Sequence, residues 1–345
     1  MFLENLRQAY LPPTSWPEIV VDEEKCNGCG RCVKTCPMEI LELRNENPAF
    51  NDNFDTFRCI GCENCVAVCP NGAIDAKGTY RVLSGRYRNT DVFPAPEQTF
   101  PQPFGEETPE RFEDYEDQLT ETERVIYKRR SVRLFQKKQV PKEMVARIIE
   151  AGRFAPSAGN CQPWAFVVIQ DQDLINELCE KTEKGLRLVC DLFFPSSLEE
   201  FERRPLSKRI LLTLLSYRNV NGADQRAFMG TKAVYEHPDH GVFLGAPTVI
   251  LVLKDRRGIA EVDYDTSLCV ENMVLAAHSL GLATCLIGLL NIRLTYPPGF
   301  VRKKLEIKLG IKPPFEYFTA IALGYPLGAC DRVVKREPAR TTWIG

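Results

Sequence analysis

Hydrophobic and polar residues in the second half of the chain follow two alternating spacings. Several segments repeat apolar residues every three or four positions, which predicts helices over Pro141–Arg153, Leu174–Val189, Leu198–Tyr217, Thr266–Leu280 and Gly299–Leu309. Short apolar runs between them predict buried strands at Ala165–Ile169, Thr248–Leu253, Leu282–Leu289 and Phe318–Leu323. The alternation predicts an α+β domain with a mixed sheet and surrounding helices. No G-x-G-x-x-G motif follows a strand, so we do not expect a Rossmann nicotinamide domain.

Cysteine dominates the first eighty residues. Two runs share the spacing C-x-x-C-x-x-C-x-x-x-C-P, and their cysteines are Cys26, Cys29, Cys32 and Cys36, then Cys59, Cys62, Cys65 and Cys69. A cubane iron–sulfur cluster needs four thiolates, of which a tight loop can supply three while the fourth must come from elsewhere. Disulfides fit poorly in a chain without an export signal, and structural zinc prefers two separated pairs. The spacing therefore predicts two [4Fe–4S] clusters.

Residues 20–77 resemble the bacterial-type two-cluster ferredoxins. In that family the fourth cysteine of each run ligates the other cluster. The resemblance implies one cluster on Cys26, Cys29, Cys32 and Cys69, and a second on Cys59, Cys62, Cys65 and Cys36. Gly28, Gly30 and Gly61 suit loops whose amides approach a cluster closely. The remaining six cysteines have no ligand spacing, and we expect them to be small buried apolar residues.

An acidic segment follows the cysteine runs. Residues 91–123 contain eleven acidic residues, one basic residue and five prolines. Two interpretations stay open: a surface strap fixed by its aromatic residues, or a solvated tether. The candidate anchors are Phe93, Phe100, Phe104, Phe112 and Tyr115. A short tether of either kind would keep the clusters close to the part of the protein that they serve.

Composition and charge narrow the possible partners. The 345 residues are 44% hydrophobic and 26% charged, with a formal net charge of −2, which gives no reason to expect nucleic-acid binding. No apolar run approaches the roughly 18 residues of a membrane span, and the first residues lack the pattern of a secretory signal. We therefore expect a cytoplasmic protein without membrane contact.

Four stretches of the second half suggest a phosphate and a flat ligand. Arg129-Arg130-Ser131-Val132-Arg133 offers three guanidinium groups and a hydroxyl within five residues. The loop 155–164 has small residues that allow close backbone approach, and its Asn160 and Gln162 offer amide groups. The other two stretches are the glycine-bounded 281–288 and Lys335-Arg336-Glu337-Pro338.

In this order the four stretches resemble the FMN-dependent nitroreductase family, which includes the reductive dehalogenases of iodotyrosine. The resemblance covers about residues 120–345 and implies an intertwined homodimer with FMN at the subunit interface. The implied FMN contacts are Arg129, Arg130, Ser131 and Arg133, with Arg336 and Lys335 closing on the phosphate. Pro156, Ser157 and Ala158 would border the isoalloxazine ring of the partner subunit, supported by Asn160 and Gln162. A backbone amide near Ile287, between Leu286 and Gly288, would face flavin N5.

These patterns give a domain plan. We expect an N-terminal extension over residues 1–20, a two-cluster ferredoxin domain over 21–78, an acidic proline-rich linker over 79–118 and a nitroreductase-like FMN domain over 119–345. The stretch of about 190–245 departs from a compact nitroreductase and is expected to be a lid or substrate-recognition insert. Within it, His237 and His240 are candidate proton donors, although a surface-loop role is the simpler interpretation.

The fusion itself predicts an electron path. Iron–sulfur clusters carry single electrons, whereas FMN exchanges one or two. We expect an oxidoreductase that takes electrons from ferredoxin or another low-potential donor, through the clusters and FMN, to a nitroaromatic, quinone, activated alkene or halogenated compound. NAD(P)H remains an alternative donor. Two further hypotheses are an oxidative enzyme with ferredoxin as electron acceptor, and a relay or sensor without small-molecule turnover.

Overall fold

The structure is a computed structural model. It describes residues 14–83, 98–193, 203–211, 225–236, 241–259, 261–288, 306–330, 332–339 and 341–345. These residues fall into two compact units. The first contains the residues up to Lys128, those between Cys190 and Gly230, and those from Asp331 onward, and the second contains Arg129–Val189 and Thr231–Cys330.

The cysteine-rich domain (residues 14–83) belongs to the first unit and consists of short elements. Its strands are β1 (Thr14–Ser15), β2 (Glu18–Val21), β3 (Leu41–Arg44), β4 (Asn47–Phe50), β5 (Ile74–Lys77) and β6 (Arg81–Val82). They pair antiparallel as β1–β6, β2–β5 and β3–β4. Two short helices, α1 (Arg31–Lys34) and α2 (Asn64–Val68), each contain the third cysteine of one run.

The acidic segment is packed in its described part. Residues 98–119, here called the strap, contain three short 3-10 turns at Gly105–Glu107, Phe112–Asp114 and Glu116–Gln118. Tyr115 is only 1% exposed and packs with the buried Phe112. The hydroxyl of Tyr115 also donates to the carbonyl of Pro101 over 2.6 Å. The aromatic side chains therefore anchor this part of the segment, which is a strap and not a solvated tether; Phe93 lies outside the described residues.

The strap also pairs with residues 332–339, here called the C-terminal segment. The backbones of Thr99 and Arg336 exchange two hydrogen bonds of 2.9 and 2.8 Å. Val333 packs into the same buried cluster as Phe112 and Tyr115. The helix α3 (Glu121–Lys128) follows the strap and begins with a capping box, in which Thr120 and Glu123 hydrogen-bond each other's backbone N–H groups.

The second unit is built on a four-stranded sheet among its described residues. Its strands are β7 (Trp164–Ile169), β8 (Thr248–Asp255), β9 (Ala283–Ile287) and β10 (Phe315–Gly324), in the spatial order β7-β8-β10-β9. All three strand pairs are antiparallel. Ser131 adds one isolated parallel bridge to Thr284 on the outer side of β9.

Alternate residues of β8 face two separate cores. Val249, Leu251 and Leu253 pack on one side with Ile175 and Leu178 of helix α5 (Gln172–Phe193). Ile250 and Val252 pack on the other side with helices α4 (Lys142–Arg153) and α7 (Val262–Ser279). A strand buried on both faces needs a continuous apolar run, which explains the sequence Thr-Val-Ile-Leu-Val-Leu. The sheet thus lies between helical layers.

The predicted helices Pro141–Arg153, Leu174–Val189 and Thr266–Leu280 and the four predicted strands are present among the described residues, with bounds that differ by a few residues. Residues 206–211 and 306–308 are helical, while the rest of Leu198–Tyr217 and Gly299–Leu309 lies mostly outside the described residues. One more helix, α6 (Gln225–Glu236), falls within the expected insert. None of the helices in the described part has the length and apolarity to cross a membrane.

Candidate functional site

Four cysteines from both runs line one cavity in the cysteine-rich domain. Its volume is about 360 Å³, counting space that is open to solvent, and its lining includes Cys26, Cys29, Cys32 and Cys69. The first three come from one run, and Cys69 is the last cysteine of the other. These are the four ligands that the ferredoxin resemblance assigns to one cluster. The lining therefore fits a four-thiolate cluster at this position.

The other four cysteines also lie near one another, as the causes of their pKa shifts indicate. Burial, followed by the neighbouring Cys62 and Cys59, raises the pKa of the Cys36 thiol to about 12. Burial also raises the pKa of Cys65 well above its usual value, with Cys62, Cys36, Cys59 and Cys32 as further contributors. These neighbours are close enough to interact, and they include the full set expected for the second cluster.

Iron would reverse these pKa shifts. Burial is the first cause of the raised pKa of Cys32 and of Cys59, each to about 11. A buried thiolate is costly without a nearby positive charge, whereas metal binding deprotonates a thiol outright. Backbone amides help to stabilise negative sulfur, as in the 3.2 Å contact from the Ala73 N–H to Cys69 Sγ. Bound iron would therefore keep these buried cysteines deprotonated.

The loops around the cysteines need left-handed backbone. Gly28, Gly30 and Gly61 have φ values of 66°, 67° and 68°. Gly30 precedes α1, and Glu63 takes the same place before α2 with φ of 54°. A non-glycine residue in this conformation costs about 1–3 kcal/mol. The second run therefore carries local strain that the first run avoids.

Geometry also separates these cysteines from a mononuclear site. Across the described ranges, no group of three His, Cys, Asp or Glu side chains could hold a single metal ion. In a cubane each thiolate binds a different iron, so the sulfurs lie further apart than around one ion.

In the second unit, two of the four predicted flavin stretches are hydrogen-bonded to each other. The N–H of Val132 donates to the carbonyl of Thr284 over 2.9 Å, which fixes the arginine-rich stretch along the outer edge of β9. Arg130 is buried, whereas Ser131 and Arg133 are half-buried. Arg129 lies 3.7 Å from the carboxylate of Glu271 on α7.

The backbone of Leu286 lies at the edge of strand β9 that is not paired with β10. Backbone groups of alternate residues point to opposite sides of a strand, and the Thr284 carbonyl points outward to Val132. The carbonyl of Ile287 instead accepts from the hydroxyl of Tyr317 on β10, over 3.5 Å. The backbone amide of Leu286 therefore faces the open edge, and that of Ile287 faces β10. The Leu286 side chain is 46% exposed between two buried neighbours.

The loop between α4 and β7 has an unusual backbone. Gly159, Asn160 and Gln162 all have positive φ, with values of 56°, 55° and 48°. The Ser157 Oγ accepts a 3.0 Å hydrogen bond from the Gln162 N–H, and the Gln162 side chain donates to Asn160. Such strain persists only where the surroundings hold it, and it concentrates at binding sites.

Asp265 contacts this loop and was not among the site residues that the sequence predicted. It lies on α7, is 5% exposed, and accepts a 3.1 Å hydrogen bond from the Ala158 N–H. The Cys161 sulfur is 3.9 Å from the same carboxylate oxygen. A buried carboxylate needs such donors, because burial without them is costly. The available signal was an aspartate directly before the predicted helix Thr266–Leu280.

Comparison with known families accounts for both parts of the chain. The profile of the 4Fe-4S dicluster domain matches residues 25–74, so the cysteine-rich domain carries two [4Fe–4S] clusters. The profile of the Nitroreductase family matches residues 126–325, which is more than half of the chain. The chain belongs to the nitroreductase family. This nitroreductase is accordingly an oxidoreductase with an additional iron–sulfur domain.

Relatives of this nitroreductase come from archaea and animals. A protein of Archaeoglobus fulgidus named NADH dehydrogenase/NAD(P)H nitroreductase is 25% identical over 213 residues, which cover 60% of this chain and 87% of that protein. Iodotyrosine deiodinase 1 of Sus scrofa is 40% identical over 78 residues, but these cover only 20% of this chain and 27% of that enzyme. The solved nitroreductase of Desulfitobacterium hafniense, which has bound FMN, is 20% identical with a TM-score of 0.45, over 66% of this chain and all of that one.

The fourth predicted stretch of this nitroreductase lies in the first unit. Arg336 is exposed and its backbone pairs with Thr99. The Lys335 Nζ lies 3.8 Å from Asp75 Oδ2 and 5.5 Å from the ring centre of Phe100. The structure thus gives the Lys335 ammonium group partners in the first unit, and the role of Lys335 and Arg336 at an FMN phosphate stays a prediction.

Several remaining predictions concern single residues. Cys269 and Cys285 are buried, as expected for small apolar residues, while Cys161, Cys179 and Cys330 are half-buried. His237 and His240 lie outside the described residues. His278 lies in the last turn of α7, where a histidine also interacts favourably with the helix C-terminus.

Proposed function

We propose that this protein is a flavin-dependent reductase that takes single electrons through its two clusters and delivers electron pairs to an electrophilic small molecule. Nitroaromatics, quinones, activated alkenes and halogenated compounds are the candidate substrates. The observation that carries the proposal is the union, in one chain, of a two-cluster domain and a nitroreductase domain. Linked in this way, the donor and acceptor sites have a high effective concentration.

FMN is the flavin that the proposal places on the second unit. When bound, it accepts electrons singly or in pairs and can reduce a stacked substrate. Arg129, Ser131 and Arg133 would hold its phosphate and ribityl chain, because guanidinium groups form strong, directed hydrogen bonds with phosphate. The strand β9 beside them offers an outward backbone amide at Leu286, which suits an acceptor atom at the flavin edge.

The proposal includes a homodimer in which Pro156, Ser157 and Ala158 border the flavin of the partner subunit. Exposed apolar residues near this loop support it: Phe154 is 71%, Ile259 74% and Tyr264 66% exposed. Ile259 also packs against the loop, since a Cβ on Gly159 would lie 2.8 Å from its Cδ1. Large exposed apolar side chains in one region are typical of a protein–protein interface.

A donor experiment tests the direction of electron flow. The full-length protein is purified without air, and its iron and FMN contents are measured. Reduced ferredoxin and NADH are then compared as donors in stopped-flow, with flavin absorbance as the signal. We expect rapid reduction by ferredoxin that depends on the clusters. Equally fast reduction by NADH after cluster removal would contradict a role of the clusters in electron delivery.

An acceptor experiment separates the reductase from the relay. The fully reduced protein is mixed anaerobically with a nitroaromatic, a quinone or 3-iodotyrosine, and the reoxidation of the flavin is followed. A reductase is reoxidised by at least one of them faster than by buffer. Reoxidation by oxidised ferredoxin alone would instead favour the relay. The third hypothesis, an oxidative enzyme, requires that a reduced organic substrate reduce the flavin while ferredoxin accepts the electrons.

A further inference from the structure

The side-chain amide of Asn64 is buried without a partner. Asn64 is the first residue of α2, between Cys62 and Cys65, and is 2% exposed. Its Nδ2 has no hydrogen-bond acceptor among the described residues. A buried donor that is left unsatisfied is destabilising, because it has lost its hydrogen bonds to water. Such an atom at this place calls for an acceptor that the protein chain does not supply.

Cluster sulfur is the acceptor that this position offers. Asn64 lies between Cys62 and Cys65 in the sequence, and both cysteines are expected ligands of the second cluster. Cys65 is itself buried, and its electrostatic neighbours are other cysteines. Thiolate and bridging sulfide both accept hydrogen bonds, and such bonds are among the factors that set cluster potentials. The cysteine and cluster sulfur atoms next to Asn64 along the chain are therefore the acceptors that we consider for the lone amide.

We propose that Nδ2 of Asn64 donates a hydrogen bond to a sulfur atom of the second cluster and raises the reduction potential of that cluster relative to the first. Reduction adds one negative charge to the cluster, so a donor stabilises the reduced form more than the oxidised form. Asn64 is a positioning and tuning residue in this role. The inference depends on the two clusters, but not on FMN or on the substrate.

The repeat makes the effect specific to one cluster. Arg31 takes the position of Asn64 in the first run, directly before the third cysteine, and its side chain is exposed. The nearby Asn71 uses its own amide, which donates to the carbonyl of Lys25 over 2.9 Å. The donor at this position is therefore present in the second run alone, and the two clusters should differ in potential.

The test is an EPR-monitored redox titration of the full-length protein, purified without air. Wild type, Asn64→Leu and Asn64→Ala are compared after each is shown to hold eight irons per chain. Leu removes the donor at similar volume, and Ala separates donor loss from packing. The control is Asn53→Leu, the same change at an exposed asparagine of the same domain.

We expect one of the two one-electron steps to move to lower potential in both Asn64 variants, by about a tenfold change in the reduced-to-oxidised ratio, or about 59 mV. The other step and the control should match wild type. Unchanged potentials in variants with eight irons would overturn the proposal, and so would an equal shift of both steps.

A second measurement needs no variant that could lose its clusters. Wild-type protein is made with asparagine labelled with ¹⁵N at Nδ2, reduced, and examined by pulsed EPR. A hydrogen bond to the cluster predicts a ¹⁵N coupling in the reduced wild-type protein. Absence of this coupling in reduced wild type, with eight irons present, would show that the amide has another partner.

Discussion

The cysteine-rich domain and the second unit bury their interiors in different ways. The former has strands of two to four residues in two-stranded ladders, and buried cysteines are part of its interior. The latter has a four-stranded sheet whose central strand, β8, is apolar on both faces. Hydrophobic stabilisation is roughly proportional to the buried area, so we expect the small domain to depend more on its clusters for stability than the second unit does. The comparison predicts that cofactor loss and core damage affect different parts of the protein.

Loss of a buried ligand should have the largest effect. Cys65→Ser removes an expected ligand of the second cluster from the interior of the cysteine-rich domain. Because metal binding there is coupled to folding, we expect fewer than eight irons per chain and protease sensitivity in residues 14–83. Iron analysis and limited proteolysis measure this. Cys269→Ser in the second unit is the control, and it should keep all eight irons.

The second largest effect should be weaker binding of FMN. Arg133→Ala removes one charged hydrogen-bonding group from the proposed phosphate site, at a cost of about 1.5–3 kcal/mol. We expect FMN to bind about ten- to a hundredfold more weakly, as measured by fluorescence after dilution, with unchanged iron content. Arg153→Ala, whose partner is the exposed Glu150, is the matched control. Full flavin occupancy in the Arg133 variant would place the phosphate elsewhere.

A smaller effect is expected at the loop that Asp265 supports. Asp265→Asn keeps the shape of the side chain but removes the charge that accepts from Ala158. The charge-assisted part of such a bond is worth about 1 kcal/mol, so FMN affinity should fall by about fivefold. Asp263→Asn, at an exposed position that pairs with Lys254, serves as the control. An FMN affinity equal to that of wild type would mean that the loop does not contribute to the flavin site.

Core packing is tested at the contact between α4 and α7. A Cβ on Gly152 would lie 2.6 Å from Met273 Cγ and 3.1 Å from Cys269 Sγ, both in fully buried side chains. Overpacking of this kind costs about 1–3 kcal/mol and outweighs the helix preference for alanine. Gly152→Ala should therefore lower the urea midpoint of the second unit without loss of iron. Gly230→Ala, in α6 with open space around it, should not.

The smallest effect concerns a surface ion pair. Hydrogen bonds from Lys181 and then Lys308 lower the pKa of Glu177 to about 2. A carboxylate with a lowered folded-state pKa adds stability above its unfolded pKa of about 4.5, and that stability is lost as the pH falls toward 2. Lys308→Ala should slightly lower the melting temperature by the same amount between pH 6 and 8. The difference from wild type should shrink at pH 4, as followed by circular dichroism, because the unfolded-state carboxylate is largely protonated below its pKa of about 4.5. The whole effect should be small, since the ion pair is exposed and screened by solvent.

Local patterns explain which elements could be foreseen. The strands β7 and β8 were predictable because an apolar run between turn residues has few alternatives. The predicted start of helix α7 was four residues late, since Val262–Asp265 contains two aspartates that interrupt the apolar spacing. The packing of the strap was open to two interpretations, because burial of Phe112 and Tyr115 depends on Val333, which is distant in sequence.

The sequence alone determined the number and kind of metal ligands and the alternation of helices and strands, because both depend on spacing over a few residues. The tertiary structure decided which cysteines meet, that Asp265 supports the loop at Ala158, that Leu286 faces the open edge of the sheet, and that Asn64 is buried without a partner. Each of these depends on contacts between residues that are far apart in the chain or on which side of an element is covered. Burial and register of that kind arise only when the elements pack, so no local pattern contains them.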